Sequence, residues 1–475
     1  MRRIAILFMV LLAAGGCMVG PNYRRPTVDT PPSWRVTDGE ADNVADTAWW
    51  GQFDDPVLDS LIRVALRENH DLQIAAARVD EFAGQYGFVR ADLYPQVRAA
   101  ASAGRQRDTG ETGNPLPSGA RLTRSSYSAA LNASWELDLW GRIRRSTEAA
   151  RAQLLGSEEG RRAVILSLVG SVAGSYINLR DLDRQLEIAR STAESRGKSL
   201  ELFRMRFEGG VVSEVEYVQV KSQYEEAMAT IPAFEKAIAQ QENALCVLLG
   251  RNPGPIPRGR SIDRLALPAI PAGLPSELLS RRPDIQQAEQ DLIAANAQIG
   301  VAKAAYYPSI SLTGFFGFAS TDLNNLFTGS AKTWSYSVPV SVPIFTAGKI
   351  AGSVKAAEAV QQQALAGYRK TIQNAFREVD DALVDQARTR EQLSSQADQV
   401  KTLQKYLELA QLRFDNGYTS YLEVLDAERS LFNAQLSYVQ NQGVLFQAVI
   451  NVYKAMGGGW VTEADKETAS SPPAR

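Results

Sequence analysis

The feature that most constrains the fold is an internal repeat, because the second half of the chain repeats the order of motifs in the first. Residues 71–95 match residues 284–308, and both segments end in a Tyr-Pro pair. Further on, the Arg-Phe-acid-X-Gly motif of residues 206–210 returns at 413–417. Chance similarity between two alanine-rich helical stretches does not readily reproduce one order of elements twice, so the chain is predicted to be two copies of one unit.

Each copy is predicted to run helix, strand, strand, long helix, sharp break, helix. Several prolines mark a connector between the copies, and the polar C-terminal tail is predicted to be disordered. The predicted segments are a leader at 1–16, an N-terminal segment at 17–56, a first repeat at 57–250 with strands near 96–105 and 125–139, a connector at 251–275, a second repeat at 276–460 with strands near 309–319 and 333–345, and a tail at 461–475.

The long helix of each copy carries a heptad seam. In the first copy apolar or small residues follow alternating spacings of three and four, starting at Ile165, Leu168 and Val172. The second copy repeats the pattern from Ile372, with polar Gln386 as an interruption. Helices this long far exceed the globular mean of about 11 to 12 residues. Alanines on these faces allow close approach, so a packed helical tube is predicted.

The strand segments alternate apolar and polar residues and are rich in aromatic side chains. Residues 125–139 and 333–345 are long enough for a membrane β-strand, which needs about 9 to 11 residues with one apolar face. Two prolines, Pro339 and Pro343, predict distortion at the end of the last strand. The alternative interpretation is a soluble hairpin packed on the helices.

Four strands do not close a barrel, because about eight is the practical minimum. An open sheet in lipid would leave the backbone groups of its edges without partners. The chain is therefore expected to oligomerise, and three copies would supply twelve strands. The predicted fold class is mainly α with a transmembrane β portion.

The N-terminus has the pattern of a secretory leader. Arg2 and Arg3 precede an apolar run from Ile4 to Ala14, which is shorter than the roughly 20 residues that span a bilayer. Two glycines then lead to Cys17, which resembles the lipid-attachment cysteine of a bacterial lipobox, although Ala14 stands where leucine is usual. Cys17 is predicted to carry a covalent lipid; the alternative is an unprocessed or conventionally cleaved leader.

The sequence carries no pattern for catalysis. Its single histidine, His70, lies in a polar helix start, and Cys246 has no predicted intramolecular partner once Cys17 is lipidated. Zinc-protease, phosphate-loop and serine-hydrolase motifs are missing from the sequence. A net charge of −2 gives no basic surface for nucleic acid. We expect no enzyme activity, no metal site and no cofactor beyond the lipid on Cys17.

Several motifs in one order resemble the outer-membrane efflux protein family, the TolC-like channels, and most closely its lipoprotein branch of the OprM or NodT type. The resemblance spans nearly the whole mature chain. It rests on residues 17–23, 49–56, 136–142, 281–285, 343–345, 421–430 and 453–460.

The resemblance implies a homotrimer in the Gram-negative outer membrane, with a twelve-stranded β-barrel joined to a long periplasmic α-helical barrel. Trp34, Trp49, Trp50, the connector and the C-terminus are expected in a ring around that tunnel. The implied partners are a periplasmic adaptor protein and an inner-membrane transporter, of RND type, and the implied function is passive conduction of drugs or other small molecules to the exterior. The alternatives are a duct for type I protein secretion or for metal or signal export, and a lipidated periplasmic adaptor.

The two breaks between helices are the predicted adaptor contacts. The first contains Gly209 and Gly210, the second Asn416 and Gly417, residue types that permit the left-handed backbone at a helix end. A serine follows each break, with a glutamate three residues later, which is the spacing of a capping box.

A gate is predicted just beyond the second break. Leu422 and Asp426 are four residues apart and so share one helix face. By the resemblance they match the family's constriction positions, where a trimer would have an apolar collar and a ring of three carboxylates that favours cations. The first-copy counterparts are the uncharged Val215 and Gln219. Alternatively, Asp426 is simply a solvated helix carboxylate.

Overall fold

The structure is a computed structural model that describes residues 18–36, 48–109, 122–270, 275–457, 460–461 and 464–465. Cys17, the predicted leader and most of the predicted tail lie outside the described residues. The described chain is mainly helical with a small sheet. Its helices are α1 (Pro56–Glu68), α2 (His70–Ala91), α3 (Arg142–Glu208), α4 (Glu214–Leu248), α5 (Pro275–Arg281), α6 (Pro283–Ala304), α7 (Lys349–Asp415) and α8 (Tyr421–Met456). Its strands are β1 (Gln96–Arg107), β2 (Thr123–Glu136), β3 (Ser309–Ser320), β4 (Lys332–Ser337) and β5 (Val340–Ser341).

The chain divides into two compact units. The first comprises the described parts of Met1–Thr27, Val79–Ser157 and Ala288–Tyr368 and holds the sheet. The second comprises the described parts of Val28–Arg78, Glu158–Gln287 and Arg369–Arg475 and holds both helical breaks. Helices α2, α3, α6 and α7 contribute residues to both units.

The sheet of the first unit is antiparallel, in the order β1-β2-β3-β4, with the short β5 pairing to β3. Its register aligns Leu131 of β2 with Phe316 of β3 and Trp334 of β4 in one cross-strand row. Within the described ranges, strands β1 and β4 each have a partner on one side. The sheet is therefore open at both edges.

The last predicted strand, over 333–345, is divided in the structure. β4 ends at Ser337, Pro339 follows, and β5 holds only Val340 and Ser341. A proline has no N–H to donate to a ladder. Its carbonyl still takes part, because Ser311 N donates to Pro339 O at 3.1 Å. The sequence predicted distortion at this end, and the structure divides the strand.

An N-terminal arm, residues 18–25, packs on the helices of the first unit. Arg145 at the start of α3 is 1% exposed and donates to Asn22 Oδ1 at 2.7 Å and to the carbonyl of Val19 at 3.3 Å. Arg25 forms a bidentate ion pair with Glu289 of α6. The arm that follows Cys17 is thus fixed by polar contacts, of which those to Arg145 involve a buried guanidinium.

The second unit is built on an aromatic core. Trp49 stacks on Tyr453 with ring centroids 5.0 Å apart, and Trp50 meets Trp460 edge-on at 5.2 Å. These residues belong to one buried cluster with α1, α3, α4 and α8. Residues near the two ends of the chain therefore share one core.

Asp55 joins three elements of this unit. Its carboxylate accepts from the Val57 N–H at the start of α1, from the Tyr176 hydroxyl on α3 at 2.9 Å, and from the Arg260 N–H of the connector at 3.0 Å. Asp55 is 3% exposed. A buried carboxylate with this many donors fixes the connector and α1 against α3.

Candidate functional site

Both helical breaks close in the same way. At the first, the Val211 N–H donates to Arg206 O at 2.8 Å and the Gly210 N–H to Phe207 O at 2.9 Å. At the second, Tyr418 and Gly417 make the equivalent bonds to Arg413 and Phe414, each at 2.9 Å. This is the Schellman arrangement, with a left-handed glycine at its centre: φ is +73° at Gly210 and +76° at Gly417.

The helices that follow begin differently. Ser213 and Glu216 form the predicted capping box of α4, with the Ser213 N–H donating to Glu216 at 2.9 Å. Ser420 makes no side-chain cap. Glu423 instead accepts from Arg413 at 2.6 Å and from Thr419. The predicted second box is wrong, because the Glu423 carboxylate is engaged by the charged Arg413 across the break and by the Thr419 hydroxyl.

Gly417→Ala is expected to loosen the second tip. A Cβ at Gly417 would meet no neighbouring atom, so its cost is conformational. Left-handed backbone costs an L-residue about 1 kcal/mol, which speeds amide exchange in residues 413–423 about fivefold. Gly417→Asn is the matched control, since asparagine tolerates this backbone. Amide hydrogen exchange is measured by mass spectrometry. Equal exchange rates in the wild-type protein and in Gly417→Ala would contradict the prediction.

Leu422 and Asp426 lie one turn apart on an exposed face of α8. Leu422 is 58% exposed, and Asp426 accepts from Arg429 Nη2 at 2.8 Å. The opposite face of the helix is buried through Tyr421, Val424 and Leu425. The structure therefore places the two predicted gate residues together, on the side of α8 that the described chain leaves uncovered.

An aromatic cluster holds this end of α8 against α3 and α7. The Tyr421 ring lies 4.3 Å from that of Phe203 and 4.9 Å from that of Phe414, between centroids. Burial raises the pKa of Tyr421 to about 12. Any movement of Leu422 and Asp426 must separate these rings or carry them along.

A second contact between the same helices is polar and incompletely bonded. Arg196 of α3 is 1% exposed and donates to Gln223 O at 2.7 Å, but among the described residues its Nε and Nη2 have no hydrogen-bond acceptor. Glu428 of α8 likewise has a buried oxygen that no donor in the described part of the chain reaches. Burial raises the pKa of Glu428, and Arg196 opposes that shift. The guanidinium also lies over the Phe432 ring of α8, 5.3 Å from its centroid, and its Nη1 is 3.5 Å from Glu226 Oε2, so the α3–α8 contact combines a cation–π pair with unsatisfied polar atoms, which are costly when buried.

Sequence reasoning missed Arg429 and Arg196. Arg429 was detectable in principle, because an acid and an arginine three residues apart on a helix are neighbours. Arg196 carried no local signal, since its environment is made by α4 and α8.

The sheet of the first unit is amphipathic, and neither face is covered by the described chain. Along one face Leu131, Phe316 and Trp334 are 50%, 46% and 64% exposed. Along the other, serines and threonines pair across strands, with Ser102 Oγ 2.8 Å from Ser128 Oγ. An exposed row of large apolar side chains is unusual for a surface in water and is typical of a lipid-facing strand.

Two features together are typical of an outer-membrane channel subunit. One is the pair of long helices that end in similar hairpin tips, and the other is the open amphipathic sheet. The outer membrane efflux protein family model matches the chain twice, at residues 61–251 and 274–458. The chain belongs to the outer membrane efflux protein family. It is an outer-membrane channel component of an efflux system.

Relatives match over nearly their full length. The toluene efflux pump outer membrane protein TtgC of Pseudomonas putida is 38% identical over 97% of this chain and 96% of its own. The cation efflux system protein CusC of Escherichia coli is 38% identical over 95% and 98%. Among solved structures, the Campylobacter jejuni CmeC outer membrane channel has a TM-score of 0.89 at 27% identity, over 96% of this chain and 98% of its own.

Proposed function

We propose that three copies of this chain form the exit duct of a tripartite efflux pump, each giving four strands to a twelve-stranded barrel. The observation that carries the proposal is the sheet: it has two open edges, and the aromatic row through Phe316 is exposed. In lipid the apolar face is favourable, but open edges are not, so the strands need neighbouring copies. The fold would be a duplicated unit, in keeping with the two matches to the family model.

The long helices would form a periplasmic helical barrel in the same trimer. Seam residues of the first copy, such as Ile165 and Val172, are fully buried in the single chain. In the second copy Ile372 and Val379 are buried as well, whereas Leu393, Val400 and Leu403 farther along α7 are only half-buried. A neighbouring copy packed on α7 would cover them.

The hairpin tips are proposed as the contacts for a periplasmic adaptor, which would join the duct to an inner-membrane transporter of RND type. Gly209, Gly210, Asn416 and Gly417 lie at the turns of two similar Schellman motifs. Two similar tips in each of three chains would offer six repeated docking positions.

Leu422 and Asp426 are proposed as the periplasmic gate. In the trimer Leu422 would form an apolar collar and Asp426 a ring of three carboxylates. The ion pair with Arg429 offsets part of that negative charge. Opening would move the second-copy hairpin, biased by adaptor contacts.

Cys17 is proposed as the site of a covalent lipid, and no other cofactor or catalytic group is needed for passive conduction. Met18 is the first described residue, and it packs so closely on Gly141 that a Cβ there would lie 2.7 Å from Met18 Cγ.

A second candidate function for the duct is the export of metal ions. It is favoured by the similarity to the cation efflux system protein CusC.

Membrane extraction of a variant without the lipid site tests the channel against the adaptor alternative. The variant has Cys17→Ser and a conventional cleavable leader in place of residues 1–16. A channel stays in the outer membrane until detergent is added and then runs as a heat-stable trimer. Release of the variant into the soluble periplasmic fraction would overturn the channel proposal.

A further inference from the structure

A groove lies between α3 and α8 in the second unit. Its lining includes none of the residues proposed for the gate, the hairpin tips or the β-barrel. Its volume is about 520 Å³, within the range of small-molecule sites. Its walls are polar, dominated by carboxamides and hydroxyls. The lining residues used below are Gly174, Asp181, Gln440, Gly443, Gln447 and Lys454.

Asp181 is a buried carboxylate with an unused oxygen. It is 6% exposed, and its Oδ1 accepts from Gln185 Nε2 at 3.0 Å. Among the described residues no donor reaches Oδ2 and no cation pairs with Asp181. Buried charges are ordinarily paired, so this one calls for a partner.

Glycines keep the carboxylate open to the groove. A Cβ at Gly443 of α8 would lie 3.2 Å from Asp181 Cγ, so a side chain there would cover the acid. A Cβ at Gly174 would collide with Gln447 Oε1, so glycine lets that carboxamide lie across α3. Because both positions are glycine, the Asp181 carboxylate and the Gln447 carboxamide can both face the groove.

We propose that this groove binds protonated amines carried on a hydroxylated body, as in amino sugars. The ammonium would pair with Asp181, and the hydroxyl groups would bond to the carboxamides, such as Gln440 and Gln447. The inference rests on the proposed function, since the amine would be a cargo of the proposed duct.

The donor set favours an ammonium over a metal ion. Asp181 is the single carboxylate among the lining residues, and the described part of the chain contains no group of three His, Cys, Asp or Glu that could hold a metal. Lys454 lies eleven residues beyond Gly443 on α8, about 16 Å along the helix. It repels a second positive charge at that end, so a ligand with one amine fits best.

The pH dependence has a defined sign. Burial raises the pKa of Asp181 to about 6. Lys454 is the other titratable group that lines the groove. The acid is therefore charged above pH 6 and loses its charge as the pH falls through 6. Between pH 7 and pH 5 its ionised fraction falls about tenfold, and amine affinity falls with it.

Binding of glucosamine to the full chain in detergent, measured by saturation-transfer NMR, tests the site. N-Acetylglucosamine is the ligand control, because it keeps the hydroxyls and lacks the ammonium. We expect glucosamine to bind, the acetylated sugar not to bind, and Asp181→Asn to weaken glucosamine at least tenfold. The neutral isostere removes a buried charge, so the fold should be retained. Gly443→Ala should also weaken binding, by covering the acid.

Glu187→Gln is the matched protein control, an exposed carboxylate on the same helix paired with Arg184. It should leave binding unchanged. Equal binding of the two sugars, no binding by the wild type, or an Asp181→Asn protein that binds as tightly as the wild type would overturn the inference. Conductance of the same preparations in planar bilayers separates the two proposals, since a channel that conducts but binds no amine refutes only the site.

Discussion

Replacing Leu422 and Asp426 together by alanine is expected to raise single-channel conductance in planar bilayers about twofold or more, because a constriction limits ion flow most strongly at its narrowest point. Leu422 is exposed and projects from α8 on the side away from the buried aromatic cluster. In three copies its loss removes the apolar collar. Loss of Asp426 removes the carboxylate ring and frees Arg429, so cation preference should fall as conductance rises.

The matched control is Val215→Ala with Gln219→Ala, the equivalent positions in the first copy. Val215 is also exposed, at 66%, but carries no acidic neighbour one turn on. This pair should leave conductance near the wild-type value. Unchanged conductance in the Leu422 and Asp426 protein, or an equal rise in the control, would discard the gate assignment.

Asp55→Ala is expected to lower the free energy of unfolding of the second unit by about 3 to 5 kcal/mol, as a helix cap is lost and buried donors are left without an acceptor. The donors are the Tyr176 hydroxyl and the Arg260 N–H, while Tyr176 itself accepts from Gly259 N–H at 2.9 Å. Loss of Asp55 therefore disturbs α1, α3 and the connector together. Urea unfolding in detergent, followed by circular dichroism, measures the change.

The neighbouring acid supplies the control for Asp55. Asp54 has a side chain that is 65% exposed and an ion pair with Arg260 at 2.6 Å. Its backbone is left-handed, with φ of +55°, which asparagine tolerates. Asp54→Asn should cost no more than about 1 kcal/mol, since exposed ion pairs contribute little. Equal losses in both variants would show that Asp55 is not the joining residue.

The helices and strands were predicted from the local periodicity of apolar residues. The alternating pattern placed strands where β1, β2 and β3 are found, and the heptad pattern placed the two long helices. The mainly helical class with a small sheet is confirmed. The prediction of one continuous last strand was wrong, because a proline interrupts the hydrogen-bond ladder after Ser337.

Contacts between segments that are distant along the chain could not be predicted from local sequence patterns. Asp55 reads locally as a helix cap, and nothing near it points to Tyr176, 121 residues away. Arg145 reads as one of several arginines after a glycine, yet it is buried under the N-terminal arm. Asp181 lies in a heptad helix and reads as a solvated acid, but α8 encloses it. In each case the environment is made by another element, which periodicity does not identify.

The trimeric barrel is the central claim, and electron cryo-microscopy of the full chain in lipid nanodiscs tests it most directly. The account predicts three copies around one axis, with twelve strands closed into a ring that crosses the disc and the row through Leu131, Phe316 and Trp334 facing lipid. A single copy, or a four-stranded sheet lying outside the bilayer with that row against protein, would contradict it.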